Sequence, residues 1–178
     1  TKPADAVVDA GETVAYPPDT ENLHHEAELV VAIGAQGRNI EEHNALDWVW
    51  GYAIGNDLTR RDLQAKAKEK GRPWDWGKAF DQSAVVGPVH AVADTGHLTD
   101  GRIWLTLDGV TKQDGNLNEL IWSIPEVISI ISRSMTLQAG DLIMTGTPAG
   151  VGPVEVGQTC VIGIEGLGEI RSEFGPSV

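Results

Sequence analysis

From Leu23 the chain reads LHHEAELVVAIG. Its period-2 alternation puts His24, Glu26, Glu28 and Val30 on one face of a strand and His25, Ala27, Leu29 and Val31 on the other. Gly34 is expected to end that strand. A short helical turn is expected over Glu41 to Leu46. The apolar run from Trp48 through Ile54 then reads as another strand, stopping at Gly55-Asn56-Asp57. Thr59, with Asp62 three residues on, has the pattern of a capping-box helix start, and LQAKAKEK is built of good helix formers as far as Gly71 and Pro73. RIWLTLDGVTK alternates around Asp108-Gly109, the signature of a type I′ hairpin. Between Ser123 and Met135, Ile124, Val127, Ile128 and Ile131 recur at helical spacing behind a serine cap and an early proline. That spacing predicts an amphipathic helix whose apolar face packs on the sheet. LIMTGTPAGVGPV and TCVIGIEGLGEIRSEF alternate short β-branched runs with glycine turns, which favours strands. Helices are a minority and no fixed-period repeat occurs, so the expected class is α+β with a large, mostly antiparallel or mixed sheet.

Length and composition narrow this picture. A chain of 178 residues is expected to form one domain, spanning 1–178, with a core of its own. With 41% hydrophobic and 22% charged residues, disorder, collagen-like and coiled-coil readings are poor. No apolar run approaches the roughly 18 residues of a membrane helix, no signal peptide leads the chain, and the lone Cys160 reads as a core thiol. A cytoplasmic protein is the expectation. Thirteen Lys+Arg against 26 Asp+Glu give a net charge of −13, which opposes nucleic acid and anionic membrane as partners. Seven of the 13 basic residues nevertheless fall between Arg60 and Lys78. Most of those lysines read as a solvated helix face, leaving a few cations to meet a small anionic molecule. The six tryptophans are assigned mostly to the core.

Two carboxylates at i, i+2 on a strand share a face a few ångströms apart, and such like charges repel unless a cation joins them. Glu26 and Glu28 therefore call for a partner, and Asp57, at a strand end before a helix, offers a third oxygen ligand. Three carboxylates without cysteine describe a hard-oxygen site suited to Mg²⁺ or Mn²⁺, with positions open for a chelating substrate. His24, on the same face, reads as a supporting residue rather than a catalytic one. The glycines of TGTPAGVG, Thr145 to Gly152, free backbone N–H groups that suit a carboxylate. P-loop, dinucleotide, HExxH, CxxC and GxSxG patterns are absent.

LHHEAEL, GYAIGNDLTRRDLQ, KGRPWDWGKAFD and GDLIMTGTPAGVGPV, in that order and spanning most of the chain, resemble the fumarylacetoacetate hydrolase family. The likeness is to its short acylpyruvase and fumarylpyruvate hydrolase-like branch. It implies the family's mixed β-sheet roll, usually a homodimer, with Glu26, Glu28 and Asp57 as Mg²⁺ or Mn²⁺ ligands. It makes Lys78 the active-site lysine and sets Arg61, Gln64 and Thr147 near the substrate's carboxylate or keto oxygens, with Lys2 also on the substrate side. The implied reaction is metal-dependent hydrolysis of a carbon–carbon bond in a 2,4-dioxo acid, giving a carboxylate and pyruvate, as in aromatic catabolism. Oxaloacetate decarboxylation, keto-enol isomerisation and non-catalytic 2-oxo-acid binding are the alternatives at the same site. The family's water-activating histidine and glutamate lie on a short segment before the KP dipeptide, whereas this chain opens at Thr1-Lys2-Pro3. Either that segment lies upstream of Thr1, or the protein binds metal and ligand without efficient turnover.

Overall fold

In the computed structural model, which describes residues 1–177, the chain opens with strands β1 (Val7–Asp9), β2 (Thr13–Ala15), β3 (Leu23–His25) and β4 (Ala27–Ile33). A 3₁₀ turn over Glu42–Trp48 leads to β5 (Val49–Asp57) and β6 (Thr59–Arg60), then helices α1 (Arg61–Glu69) and α2 (Asp75–Lys78). Strands β7 (Ala84–Val86) and β8 (His90–Ala91) precede α3 (Val92–Thr95), the pair β9 (Arg102–Leu107) and β10 (Val110–Asn116), and α4 (Ile124–Ser134). The chain ends with β11 (Leu142–Met144), β12 (Gly152–Pro153), β13 (Thr159–Ile164) and β14 (Gly168–Gly175). Among the described residues no helix is long and apolar enough to cross a membrane.

Among the described residues the strands form three sheets rather than the one large sheet expected. The first runs β1-β7-β5-β4-β11, with β8 also paired to β5; the second runs β10-β9-β13-β14-β2; the third is β12-β3-β6. Most pairings are antiparallel, with β1–β7 and β14–β2 parallel, so the α+β class with mixed sheets and few short helices holds.

The strand expected from Leu23 breaks at Glu26. Leu23 and His24 pair with Arg60 and Thr59 in the third sheet, whereas Ala27 onward pairs with Asn56 and the rest of β5 in the first. At the crossing, the Glu26 N–H donates to Asn56 Oδ1 at 2.9 Å and the Asp57 N–H to the Glu26 carbonyl at 2.9 Å. This replaces the ladder bonds lost at the break. Strand β4 is buried along its whole length. Leu29, Val31 and Ile33 join the main core with Leu105, Ile162 and Phe174 of the second sheet, while Val30 joins a smaller cluster with Ala53, Ala84 and Val86. Burial on both faces explains the unbroken apolar run LVVAI.

Two local expectations are corrected. Thr59 is not a helix cap: it sits in β6, its hydroxyl donates to the Asp57 carbonyl at 3.0 Å, and α1 begins after Arg60 without a side-chain cap. The Asp62 carboxylate is held by the Thr20 hydroxyl at 2.6 Å instead. Helix α4 does form behind its Ser123/Glu126 capping box, but it lies mainly on the 3₁₀ turn Glu42–Trp48, with Ser132 accepting from the Ile40 N–H at 2.9 Å. Asp108 and Gly109 both have positive φ, 47° and 79°, as a type I′ turn requires. Beyond it, Thr111 pairs with Thr106 and Gln113 with Leu105, so Lys112 is an extra residue, a β-bulge.

Candidate metal centre

Glu26 projects from the break between β3 and β4, Glu28 from β4, and Asp57 from the end of β5 beside them. The sheet crossing thus brings together carboxylates from two strands, each offering an oxygen within 4.8 Å of the others. Glu26 and Glu28 are buried and Asp57 is half-buried. Glu28 accepts from the Gly146 N–H at 2.7 Å. Burial, with the charge of Asp57 adding to it, pushes its pKa up to about 8. A neutral Glu28 lessens the repulsion in the cluster; a bound cation removes the need for that proton.

Three cationic side chains surround the carboxylates. Lys78 Nζ bridges Glu26 Oε2 and Asp57 Oδ2, at 2.7 Å each. Lys2 Nζ reaches Asp57 Oδ1 at 2.8 Å and the Leu58 and Lys78 carbonyls at 3.0 and 2.6 Å. Arg61 pairs with Glu26, donates to Gln64 Oε1 at 2.6 Å and reaches His24 Nδ1 at 3.2 Å. Burial works against the Lys78 ammonium, but Asp57 and Glu26 together outweigh it and hold its pKa above the usual lysine range. For Lys2 burial prevails and its pKa falls, Asp57 offsetting only part. His24, too, is held below the ordinary histidine range, by burial first and then by Arg61.

Short-range packing sets these positions. Gly77, one residue before Lys78, lies so close to α1 that a β-carbon there would stand 3.0 Å from the Gln64 nitrogen. That approach carries Lys78 to the carboxylates and leaves Gln64 buried at the cavity wall. Arg60 stacks on Trp76 and Phe80 and donates to the Trp76 carbonyl, fixing the turn between the helices.

The cluster opens into a cavity of about 530 Å³, lined by the three carboxylates, Arg61, Gln64, Lys68, Trp74, Lys78 and the segment Met144–Thr147. Every residue singled out as catalytic, metal-binding or substrate-binding lies in or against this region. Glu26, Glu28, Asp57, Arg61, Gln64, Thr147 and Lys78 line it, and Lys2 abuts Asp57. Of the basic residues, Lys66, Lys68 and Lys70 are exposed, as a solvated helix face requires. The glycine-rich turn does hold a carboxylate through its Gly146 N–H, but that carboxylate is the chain's own Glu28. The assignment of tryptophans to the core is corrected: Trp50, Trp74, Trp76 and Trp122 are exposed, and Trp48 and Trp104 only partly covered. Two supporting residues escape the sequence pattern. Asn56 holds the Glu26 N–H, and buried Gln113 touches Thr147 at 2.7 Å. Asn56 stood in the motif GYAIGNDLTRRDLQ; nothing marked Gln113.

Comparison with known proteins agrees with this geometry. The family model described as fumarylacetoacetate (FAA) hydrolase C-terminal matches residues 1–174. A fumarylpyruvate hydrolase of Ralstonia sp is 45% identical over 180 residues, covering 99% of this chain and 92% of the relative. A mitochondrial oxaloacetate tautomerase of Arabidopsis thaliana is 41% identical over 170 residues, 96% of this chain and 76% of that one. Among solved structures, the fumarylpyruvate hydrolase of Pseudomonas aeruginosa in complex with Mn²⁺ and pyruvate superposes with a TM-score of 0.96 at 48% identity, covering 99% of this chain and 77% of that one. A family match over nearly every residue and a close relative of almost equal length carry the same conclusion: the chain belongs to the fumarylacetoacetate hydrolase family.

Proposed function

We propose that the chain is a metal-dependent hydrolase that cleaves a carbon–carbon bond in 2,4-dioxo acids, acylpyruvates such as fumarylpyruvate, releasing a carboxylate and pyruvate. The observation that carries this reading is the convergence of three carboxylates within 4.8 Å in an open cavity bordered by cationic side chains. Once a cation displaces the Glu28 proton, three carboxylates against Lys2, Arg61 and Lys78 sum close to neutral, so the divalent cation leaves the centre a positive excess that an oxo acid's negative charge offsets. The relatives that act on fumarylpyruvate, and the one solved with Mn²⁺ and pyruvate, support it.

Glu26, Glu28 and Asp57 hold Mg²⁺ or Mn²⁺, and the bound cation supplies the positive charge that polarises the 2-oxo-acid end of the substrate. Arg61 donates to Gln64 Oε1, so the Gln64 amide N–H groups face ligand oxygens, and Thr147 adds a hydroxyl. Lys78, two of whose N–H groups are held by Glu26 and Asp57, offers its third to the oxyanion that develops on the carbonyl attacked by water. Lys2 ties Asp57 to the backbone of Leu58 and Lys78 and keeps the carboxylate facing the centre. The water oxygen ends on the acyl carbon as carboxylate, the bond to the methylene carbon breaks, and that carbon takes a proton to become the methyl group of pyruvate.

A homodimer in the cytoplasm, serving aromatic catabolism, belongs to the same proposal; the exposed Trp50, Ile121 and Trp122 support association. A second reading, keto-enol conversion of oxaloacetate at the same site, is supported by the Arabidopsis relative. The test is pyruvate release from acetylpyruvate and fumarylpyruvate with Mg²⁺, with Mn²⁺ and after chelation. Both the 178-residue chain and a form carrying residues upstream of Thr1 are assayed. Metal-dependent release is expected, abolished in Glu26→Ala and Asp57→Ala through kcat rather than KM. Retained kcat in either variant overturns the proposal. Inertness to both dioxo acids with oxaloacetate enolised selects the second reading.

A further inference from the structure

Gln113 has no place in the chemistry above, yet its side chain is fully buried on a strand that is otherwise largely exposed. The bulge at Lys112 turns it inward, toward the start of β4 and the loop that follows β11. Its amide uses every hydrogen-bonding position. Oε1 accepts from the Ala27 N–H at 3.1 Å and lies 2.9 Å from His25 Nδ1; Nε2 reaches the Pro148 carbonyl at 2.8 Å and Thr147 Oγ1 at 2.7 Å.

Two of these partners fix which way the amide points. Ala27 N–H can only donate and the Pro148 carbonyl can only accept, so Oε1 must face Ala27 and the NH₂ group must face the loop. The second N–H therefore donates to the Thr147 hydroxyl oxygen. A hydroxyl that accepts there keeps one hydrogen to give. Thr147 finds no protein acceptor for it among the described residues, and it lines the cavity beside the carboxylates. The same hairpin holds the loop a second time: a β-carbon on Gly150, whose φ is +99°, would collide with the Lys112 carbonyl.

We propose that Gln113 is a positioning residue that locks the Thr147 hydroxyl as a hydrogen-bond donor toward the carboxylate or oxo group of the bound 2-oxo acid. Gln113 itself touches neither cation nor ligand; it decides that Thr147 presents a proton to an anion rather than a lone pair. The inference rests on the metal-dependent oxo-acid reading and deepens it.

The experiment is a double-mutant cycle on Gln113→Met and Thr147→Val, measuring Mn²⁺ affinity and then pyruvate affinity of the Mn²⁺-loaded protein. Each single variant is expected to weaken pyruvate binding about tenfold, the double variant no more than either, and Mn²⁺ affinity to stay within about twofold throughout. Thr147→Ser, which keeps the hydroxyl, is expected to retain pyruvate binding. Equal losses from Gln113→Met in the wild-type and Thr147→Val backgrounds, or wild-type pyruvate affinity in Gln113→Met, overturn the assignment while leaving the proposed function standing. If the unsubstituted chain takes up no pyruvate with Mn²⁺, both fall. Where Gln113→Met does not fold, Gln113→Glu replaces it in the cycle. That variant keeps the acceptor toward Ala27 and His25, loses both fixed donors, and leaves its charge to be taken up by His25.

Discussion

A carboxyl group as enclosed as that of Glu28 keeps its proton well above the usual range, at a pKa of about 8 against 4.5, because burial and then Asp57 disfavour the charge. In the metal-free fold the protonated form is the stable one. Glu28 thus contributes stability that is complete below about pH 4.5 and is lost as pH rises through about 8. A cation reverses the preference and expels the proton, so Mn²⁺ affinity is expected to rise about tenfold per pH unit between about pH 6 and 8. Titration of Mn²⁺ at several pH values checks this, and an affinity that is flat across the range would falsify it. The three acids were legible in the sequence, since an i, i+2 pair with a third carboxylate at a strand end makes electrostatic sense only with a counter-charge. Their ties to Lys78, Lys2 and Arg61 were not legible from spacing, because these contacts depend on Gly77 and the break at Glu26. Family resemblance pointed to those three cations where residue patterns were silent.

Elements were read well where the signal is local and poorly where it is tertiary. The serine cap of α4 is local: Ser123 accepts from the Glu126 N–H at 3.4 Å while Glu126 receives the Ser123 N–H at 2.7 Å. Removing it in Ser123→Ala is expected to cost about 1 kcal/mol and lower Tm by about 2–4 °C. Pyruvate release should not change, because Ser123 is not among the described residues that line the cavity holding the three carboxylates. Thermal melts beside the activity assay test both halves. Thr59 and Asp62 present a hydroxyl and a carboxylate at the same spacing, yet pairing of β6 with β3 draws Thr59 into a sheet and the Thr20 hydroxyl takes Asp62. A capping pattern is thus meaningful only where no strand competes for its first residue. The Asp108-Gly109 hairpin was similarly legible, since its turn demands positive φ at both positions. The bulge three residues on was not, and with it went Gln113.

At the scale of the molecule, the centre lies where the three sheets meet. Glu28 and Asp57 come from the first, Glu26 from its junction with the third, and Gln113 reaches in from the second to hold the loop carrying Thr147. Alternation along single strands could not reveal this junction, because each half of LHHEAELVVAI is regular and only their separate partners expose the change of sheet. Metal that joins residues on these layers binds the folded chain and not the unfolded one, so it must raise the temperature at which the whole fold melts. Mn²⁺ at about one hundred times its dissociation constant adds about 2.7 kcal/mol, which for a domain of this size corresponds to about 5–10 °C in Tm. Chelation should return Tm to its starting value, and Asp57→Ala should melt at one temperature with or without Mn²⁺. At one fixed Mn²⁺ concentration the gain should also be larger near pH 8 than near pH 6, because at the lower pH part of the binding energy goes into displacing the Glu28 proton and the affinity is weaker. A rise that survives in Asp57→Ala, or that ignores pH, would place the stabilising ion somewhere other than among these three carboxylates.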